Sequence, residues 1–442
     1  MAKSNYKHAI VIGGSLAGLL TARVLSEHFE KVTILERDPV HNVPESRKGQ
    51  AQTRHVHGLL PQGLIIINEY FPDIDEQLLA GGALIGDTGE RLHWYQYGGY
   101  RMKIKSGLFS MTMSRPFLEF HIRRRALELS NITLIDACAM DALVTSPDQK
   151  QVIGVRANKR SPENNIEFLE ADLVVDATGR GSGTPKWLEG LGYSRPPETE
   201  VKARIGYVTR EYRRLEKDPD RIYAEMISPA APAEKHVAFL FPIENDRWIM
   251  TASGYVGDHP PTDEAGLLEF VRSLPSPAIY NIVRDAEPLT EIITYKYPAS
   301  LRRHYEKLKR FPEGLLVIGD AVASFNPVYG QGMTSAAMQT RVLHEVLQQT
   351  RNLHELWKPF FKQTAKVVDM PWQLAVGEDF RYPETEGRKP PFMDMINAYV
   401  EKVHKATQRD PVVYAQFLRV VSLMATPMSL MSPRIMRRVL IP

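Results

Sequence analysis

The first apolar positions of the chain are continuous rather than alternating. Ala9 to Ile12 runs without a polar interruption, which suits a strand buried on both faces of a parallel sheet. Gly13, Gly14 and Gly18 then punctuate a turn, and Leu16 to Leu25 repeats its apolar positions at helical spacing. Val32 to Leu35 supplies a second buried strand, closed by Glu36. The pattern predicts a βαβ unit.

That unit has a physical use. A helix N-terminus offers unpaired N–H groups and partial positive charge, so a pyrophosphate rests on it wherever no side chain intervenes. Gly13 permits the turn, Gly18 lets helix and strand approach, and Ser15 stands at the middle position of G-x-G-x-x-G. Glu36 stands where such units place the carboxylate that accepts ribose hydroxyls. From these residues alone the turn is either a packing device or a nucleotide site.

A polar connection from Arg37 to Thr53 leads to Arg54-His55-Val56-His57-Gly58 and an amphipathic helix from Leu59 to Tyr70. Basic groups there either neutralise phosphate or form an ordinary solvated loop. Ala83 to Tyr100 alternates and predicts strands. Ser114-Arg115-Pro116 opens a helix, Phe117 to Leu129, and Ile132 to Val144 and Val152 to Ala157 read as strands. A further apolar strand ends in Asp176-Ala177-Thr178-Gly179. From about Tyr193 to Pro298 short alternating runs, interrupted by one helix from Asp263 to Leu274, predict an inserted and largely antiparallel unit. Leu315 to Ile318 restores a parallel strand. Gly319-Asp320 and the stretch Asn326 to Met333 follow, and a helix from Thr334 to Gln349 makes this a second turn before a helix N-terminus. Beyond Thr350 the chain is mostly helical.

Composition narrows the function. A chain of 442 residues exceeds one simple core, and 43% hydrophobic with 24% charged residues is a globular balance. A net charge of +3 without a basic stripe points away from nucleic acid. The single cysteine, Cys138, excludes an intrachain disulfide, argues against a cysteine-ligated metal, and reads as core packing. No metal site is expected. The first strand begins at once, with no signal-like succession, so residence in the cytoplasm is expected. After Asp410 no acid remains, while Arg419, Arg434, Arg437 and Arg438 stand among Phe417, Leu418, Leu430 and Met431. Such a tail either lies on an anionic membrane or caps an apolar pocket with its arginines outward, and the second is favoured.

Four motifs in order, Gly13 to Glu36, Ser114-Arg115, Asp176 to Gly179, and Gly319-Asp320 with Pro327 and Gly330-Gln331-Gly332-Met333, resemble those of the FAD-dependent monooxygenase superfamily. Its relatives include aromatic hydroxylases, epoxidases, flavin halogenases and geranylgeranyl reductases, and bacterial polyether-type epoxidases are similar in the tail. The resemblance implies an α/β fold: a Rossmann-like FAD-binding domain with a mostly parallel sheet (1–80, 111–190 and 301–350), an inserted, largely antiparallel β-sheet substrate domain (81–110 and 191–300), and a helical C-terminal region (351–442). It implies that Gly13, Ser15 and Gly18 hold the FAD pyrophosphate, Glu36 the ribose with Arg37 beside it, and that Arg54 reaches phosphate. Arg115 would touch the flavin, Asp320 the ribityl region, and the Pro327 to Met333 segment, with Gly330, Gln331 and Gly332, the isoalloxazine edge. A helix N-terminus suits the negative charge of reduced flavin.

The implied chemistry is hydroxylation or epoxidation of a hydrophobic aromatic or alkene small molecule through a C4a-hydroperoxyflavin, in secondary metabolism, with O2 as co-substrate. NAD(P)H would supply electrons directly or through a separate flavin reductase. Trp94, Tyr97, Phe239 and Phe241 are the candidates to meet substrate, and His55 and His57 the candidates to relay protons; core packing is the competing reading for each. Where direct hydride acceptors carry Asp-Gly, this chain has Asp176-Ala177-Thr178-Gly179. The paired tryptophans and lysine of halogenases are not visible. The rivals are a flavin-dependent reductase of an isoprenoid double bond and a non-catalytic prenyl or lipid carrier.

Overall fold

The computed structural model describes residues 6–159, 166–215, 224–350 and 352–441. Among the described residues, the continuous apolar runs form a five-stranded sheet in the order Leu315–Val317, Leu173–Asp176, Tyr6–Ile12, Phe29–Leu35, Ile132–Ile135. Every pairing in it is parallel. Helices Leu16–Leu25, Pro61–Tyr70, Arg115–Leu127 and Gly332–Gln349 contribute to the core that this sheet shares, with Ile10, Leu19, Leu20, Ile67, Leu118 and Leu343 fully buried. The register aligns Ile12 with both Leu35 and Asp176, and Asp176 with Val317. The residues that follow, Gly13, Glu36, Ala177 and Gly319, therefore leave the sheet at one edge, where open α/β sheets bind ligands.

A seven-stranded sheet runs in the order Ile293–Tyr297, Ile205–Arg213, Arg247–Gly254, His236–Ile243, Ala224–Ile227, Leu92–Gln96, Gly99–Tyr100. Its pairings are antiparallel except that between Ala224–Ile227 and Leu92–Gln96. Alternation sends Val208, Ala238, Leu240, Trp248 and Met250 to a face covered by helices Glu264–Arg272 and Ala278–Val283. Tyr207, Val237 and Phe239 take the other face.

The run expected as one strand from Ile132 to Val144 is divided. Ile132–Ile135 completes the parallel sheet, Ala137 turns with a φ of 47°, and Cys138–Thr145 pairs antiparallel with Val152–Lys159. The helix expected from Leu59 begins at Pro61, whose missing N–H suits a first turn, and Gly58–Leu59 is a short strand.

The C-terminal helices Trp357–Asp379, Met393–Ala406, Pro411–Val421 and Pro433–Leu440 pack around Val413, Phe417, Leu418, Leu430, Ile435 and Val439. Arg419, Arg434, Arg437 and Arg438 are exposed. Among the described residues no helix is long and apolar enough to cross a membrane.

Candidate functional site

The two loop-to-helix junctions, some 300 residues apart in sequence, line one cavity of about 640 Å³. At the first, Gly13 adopts a φ of +104°, and a Cβ there would stand 2.7 Å from the carbonyl oxygen of Ala177. A Cβ on Gly18 would fall 1.8 Å from the Gly13 carbonyl oxygen, so this glycine sets the closeness of helix to strand. Glu36 is fixed from behind: its carboxylate accepts from Gly14 N at 2.8 Å and Asp38 N at 2.9 Å, and pairs with Arg47 at 2.7 Å.

Glu119, on helix Arg115–Leu127, also reaches this junction. It accepts from Ser15 Oγ at 2.6 Å, Leu16 N at 3.3 Å and Gln50 Nε2 at 3.1 Å, and pairs with Arg115 at 2.7 Å and Arg47 at 3.3 Å. Burial alone would raise its carboxyl. Arg115, Ser15 and Arg47 outweigh that and hold it down at about 2. Two buried arginines thus balance Glu36 and Glu119 beside the helix N-terminus.

At the second junction Asn326 caps the turn Pro327–Tyr329, its Oδ1 accepting from Val328 N at 3.1 Å. Gly330 takes a φ of +64°, and helix Gly332–Gln349 begins immediately after. A Cβ on Gly330 or Gly332 would meet no protein atom within 4 Å. Asp320 is open to the cavity yet deep in the protein, so burial pushes its carboxyl up against the lowering by Arg115 and Arg180. Among the described residues its carboxyl has no hydrogen-bonding protein partner, which leaves both oxygens to a ligand.

Of the sequence candidates, Gly13, Ser15, Glu36, Arg37, His55, His57, Arg115, Phe239, Asp320, Pro327, Gly330, Gly332 and Met333 line the cavity. The remainder do not. Gly18 is packed behind the first junction. Gln331 is buried and donates to Val421 O at 3.1 Å. Phe241 packs edge to face with Phe239, ring centroids 6.3 Å apart, and is not among the lining residues. Arg54 is exposed away from the wall, and the buried arginine of that connection is Arg47. Trp94 lies at the joint with the C-terminal helices, its ring 3.9 Å from the Arg101 guanidinium and its Nε1 donating to Ser228 Oγ at 3.0 Å. Tyr97 packs at the same joint beside His404.

Sequence reading passed over Arg47, Glu119, Arg180, Tyr207, Tyr295 and Tyr297. Glu119 could have been found as an acid one helical turn after Arg115. The tyrosines lie on inward positions of alternating strands and needed the face assignment.

Both histidines are neutral at ordinary pH, which does not suit them to shuttle a proton near neutrality. Burial, then Arg54, pushes His55 down to about 4; burial, then Arg115, pushes His57 down to about 3. His57 Nδ1 lies 2.8 Å from His55 O, so Nδ1 carries the proton and Nε2 is an acceptor. His55 Nδ1 meets Thr209 Oγ1 at 2.7 Å, Thr209 meets Thr251 at 2.6 Å, and Thr251 accepts from Val56 N at 3.0 Å. Both hydroxyl protons find acceptors when Thr251 donates to Thr209 and Thr209 to His55, which leaves Nε2–H as the donor. Accordingly, a His57→Gln variant should keep the wild-type shape of any rate profile between about pH 6 and 8. Stopped-flow reduction of bound flavin checks this, and a break near neutrality lost in the variant would overturn the assignment.

The residues fit FAD. Gly13 and Ser15 present a helix N-terminus, Glu36 faces the same cavity, Asp320 offers free acceptors, and Gly330 and Gly332 leave space that side chains would fill. No family model matches the chain. Protein Rv3254 of Mycobacterium tuberculosis is 32% identical over 433 residues, covering 94% of this chain and 90% of that protein. Among solved structures, the flavoprotein/dehydrogenase of Cytophaga hutchinsonii superposes with a TM-score of 0.70 at 14% identity, covering 97% of this chain and 96% of that one. The flavin-dependent brominase Bmp2 gives 0.69 at 13%, covering 98% of each. PqsL of Pseudomonas aeruginosa, described as a probable FAD-dependent monooxygenase, gives 0.62 at 15%, covering 85% of this chain and 98% of that one. At these identities the solved structures share the fold.

Proposed function

We infer that this chain, which belongs to one family with Protein Rv3254 of Mycobacterium tuberculosis and has the fold of the FAD-dependent monooxygenases, binds FAD and oxygenates a hydrophobic aromatic or alkene small molecule. The observation that carries this reading is the convergence of two glycine-punctuated helix N-termini on one cavity. When bound, reduced FAD supplies the chemistry that activates dioxygen. The chain supplies position and dryness. In this reading the first junction takes the pyrophosphate, Glu36 a ribose and Asp320 the ribityl hydroxyls, while the first N–H groups of helix Gly332–Gln349 face the ring edge that becomes negative on reduction. Tyr207, Tyr295 and Phe239 form the apolar wall against which substrate rests, with His57 Nε2 as an acceptor and Arg115 as a fixed cation.

Electrons come from NAD(P)H, bound directly or through a separate reductase. Asp176 is fully buried and accepts from Ser182 and Thr184 hydroxyls at 2.5 Å each, so it serves the strand end rather than a passing nicotinamide. Anaerobic mixing of the FAD-loaded protein with NADH and NADPH, each with and without a flavin reductase, tests the reading. The expected result is bleaching of the flavin absorbance and, on admitting air, dioxygen consumption. Turnover of an isoprenoid substrate without dioxygen would favour the reductase, and failure to retain FAD at all would favour the carrier.

A further inference from the structure

The four most exposed large apolar side chains of the described chain, Phe392 (76%), Met428 (69%), Ile441 (68%) and Met395 (66%), all belong to the C-terminal region. They lie on segments that pack together. Helix Met393–Ala406 carries Met395 one turn before Tyr399, whose hydroxyl donates to Leu430 O at 2.7 Å, two residues from Met428. Helix Pro433–Leu440, just before Ile441, buries Ile435 and Val439 inward against the same cluster and exposes Leu440. Phe392 holds its ring outward from a left-handed backbone, φ 61°, which a bulky residue rarely adopts.

Charge is segregated to the same region. Residues 388–441 contain nine Lys and Arg against three Asp and Glu, a net of +6 in a chain whose total is +3, so the remainder is negative. All nine cationic side chains are exposed, and after Asp410 no acid follows. Lys389, Lys405 and Arg438 pair with Asp394, Glu401 and Asp410, and the cations left over, with exposed apolar tips in the same region, suit a surface that is anionic outside and apolar beneath.

We propose that this face, formed by Phe392, Met395, Met428 and Ile441 with Arg434 and Arg437, docks the protein on anionic phospholipid membranes without spanning them. Arginines attract the headgroups and the apolar tips enter the acyl boundary. The inference stands apart from the cofactor assignment, since no residue of the face lines the cavity.

The test is sedimentation of the full-length protein with vesicles of phosphatidylcholine alone and of phosphatidylcholine mixed with phosphatidylglycerol. The expected result is capture by the mixed vesicles that weakens with added salt, and little capture by neutral ones. Met395→Glu/Met428→Glu should lower the affinity for mixed vesicles by at least about tenfold. Both side chains are mostly exposed, so the fold loses little packing. Arg434→Gln/Arg437→Gln should weaken capture and flatten its salt dependence, while Phe168→Glu, at an exposed apolar residue outside the face, should change nothing. Absence of capture by mixed vesicles, or capture unchanged in both face variants, overturns the proposal. So does a concentration-dependent dimer that the same substitutions dissociate while vesicle capture stays untouched, because the face then belongs to a second copy of the chain.

Discussion

Gly332→Val should leave the apoprotein folded and weaken FAD binding by about 5-fold to 150-fold. The two halves of that outcome have separate causes. A Cβ at position 332 meets no atom of the surrounding chain within 4 Å, so a side chain there starts in open space. Gly332 opens helix Gly332–Gln349 and lines the cavity, so the added methyl groups project where the isoalloxazine edge would rest. Overpacking a close-fitted contact costs about 1–3 kcal/mol, which converts to that loss of affinity. Fluorescence titration with FAD reads the affinity, and the melting curve of the apoprotein reads the fold. Wild-type FAD binding in Gly332→Val would mean that the ring lies elsewhere. A collapsed melting curve would mean that the glycine is structural.

Asp379→Asn should be more stable than wild type at about pH 8, by on the order of 4 kcal/mol, with the advantage vanishing towards about pH 4. Asp379 ends helix Trp357–Asp379 and is 1% exposed. Asn326 Nδ2 donates to its carboxyl at 2.8 Å and the Tyr329 hydroxyl lies at 3.5 Å, yet among the described residues no cation pairs with it. The adjacent Glu378 takes Arg381, at 2.8 Å, and lies 3.7 Å from His404. Burial therefore pushes the Asp379 carboxyl up to about 7, with hydrogen bonds from Asn326 and Tyr329 opposing and Glu378 adding to the rise. Below its unfolded pKa the group is neutral in both states and costs nothing. Between there and about 7 the unfolded chain releases the proton while the native chain retains it, so stability falls as pH rises. Asparagine keeps an acceptor for Asn326 and cannot ionise. Urea unfolding of the apoprotein across this range checks the slope, and parallel curves for the two proteins would remove Asp379 as its source.

The same residue joins the helical region to the cavity. Asn326, held by Asp379, accepts the Tyr207 hydroxyl at 2.6 Å and caps the turn before Gly330. The C-terminal region thus supports the second junction from behind as well as carrying the basic face.

What could be read from the residues in order was whatever depends on neighbours in the chain. The unbroken run Ala9–Ile12, Gly13 and Gly18 at a turn, Glu36 closing the next strand, and the Pro327–Met333 turn before a helix each state a backbone requirement within a few residues, and each takes the corresponding place in the structure. Tertiary structure decided what depends on faces and distant partners. Arg47 and Arg54 stand seven positions apart in one polar loop, and only the ion pairs with Glu36 and Glu119, the latter 72 residues on, select Arg47 for burial. Aromatic content singled out Trp94 and Tyr97, whereas sheet register and the packing of the C-terminal helices turn these two toward Arg101 and His404 and leave Tyr207 and Tyr295 at the cavity wall. The histidines stood as candidates to relay protons, with core packing as the competing reading. Burial beside Arg54 and Arg115 makes them neutral hydrogen-bonding groups, because the cost of charge inside a protein is set by the surroundings and not by the residue.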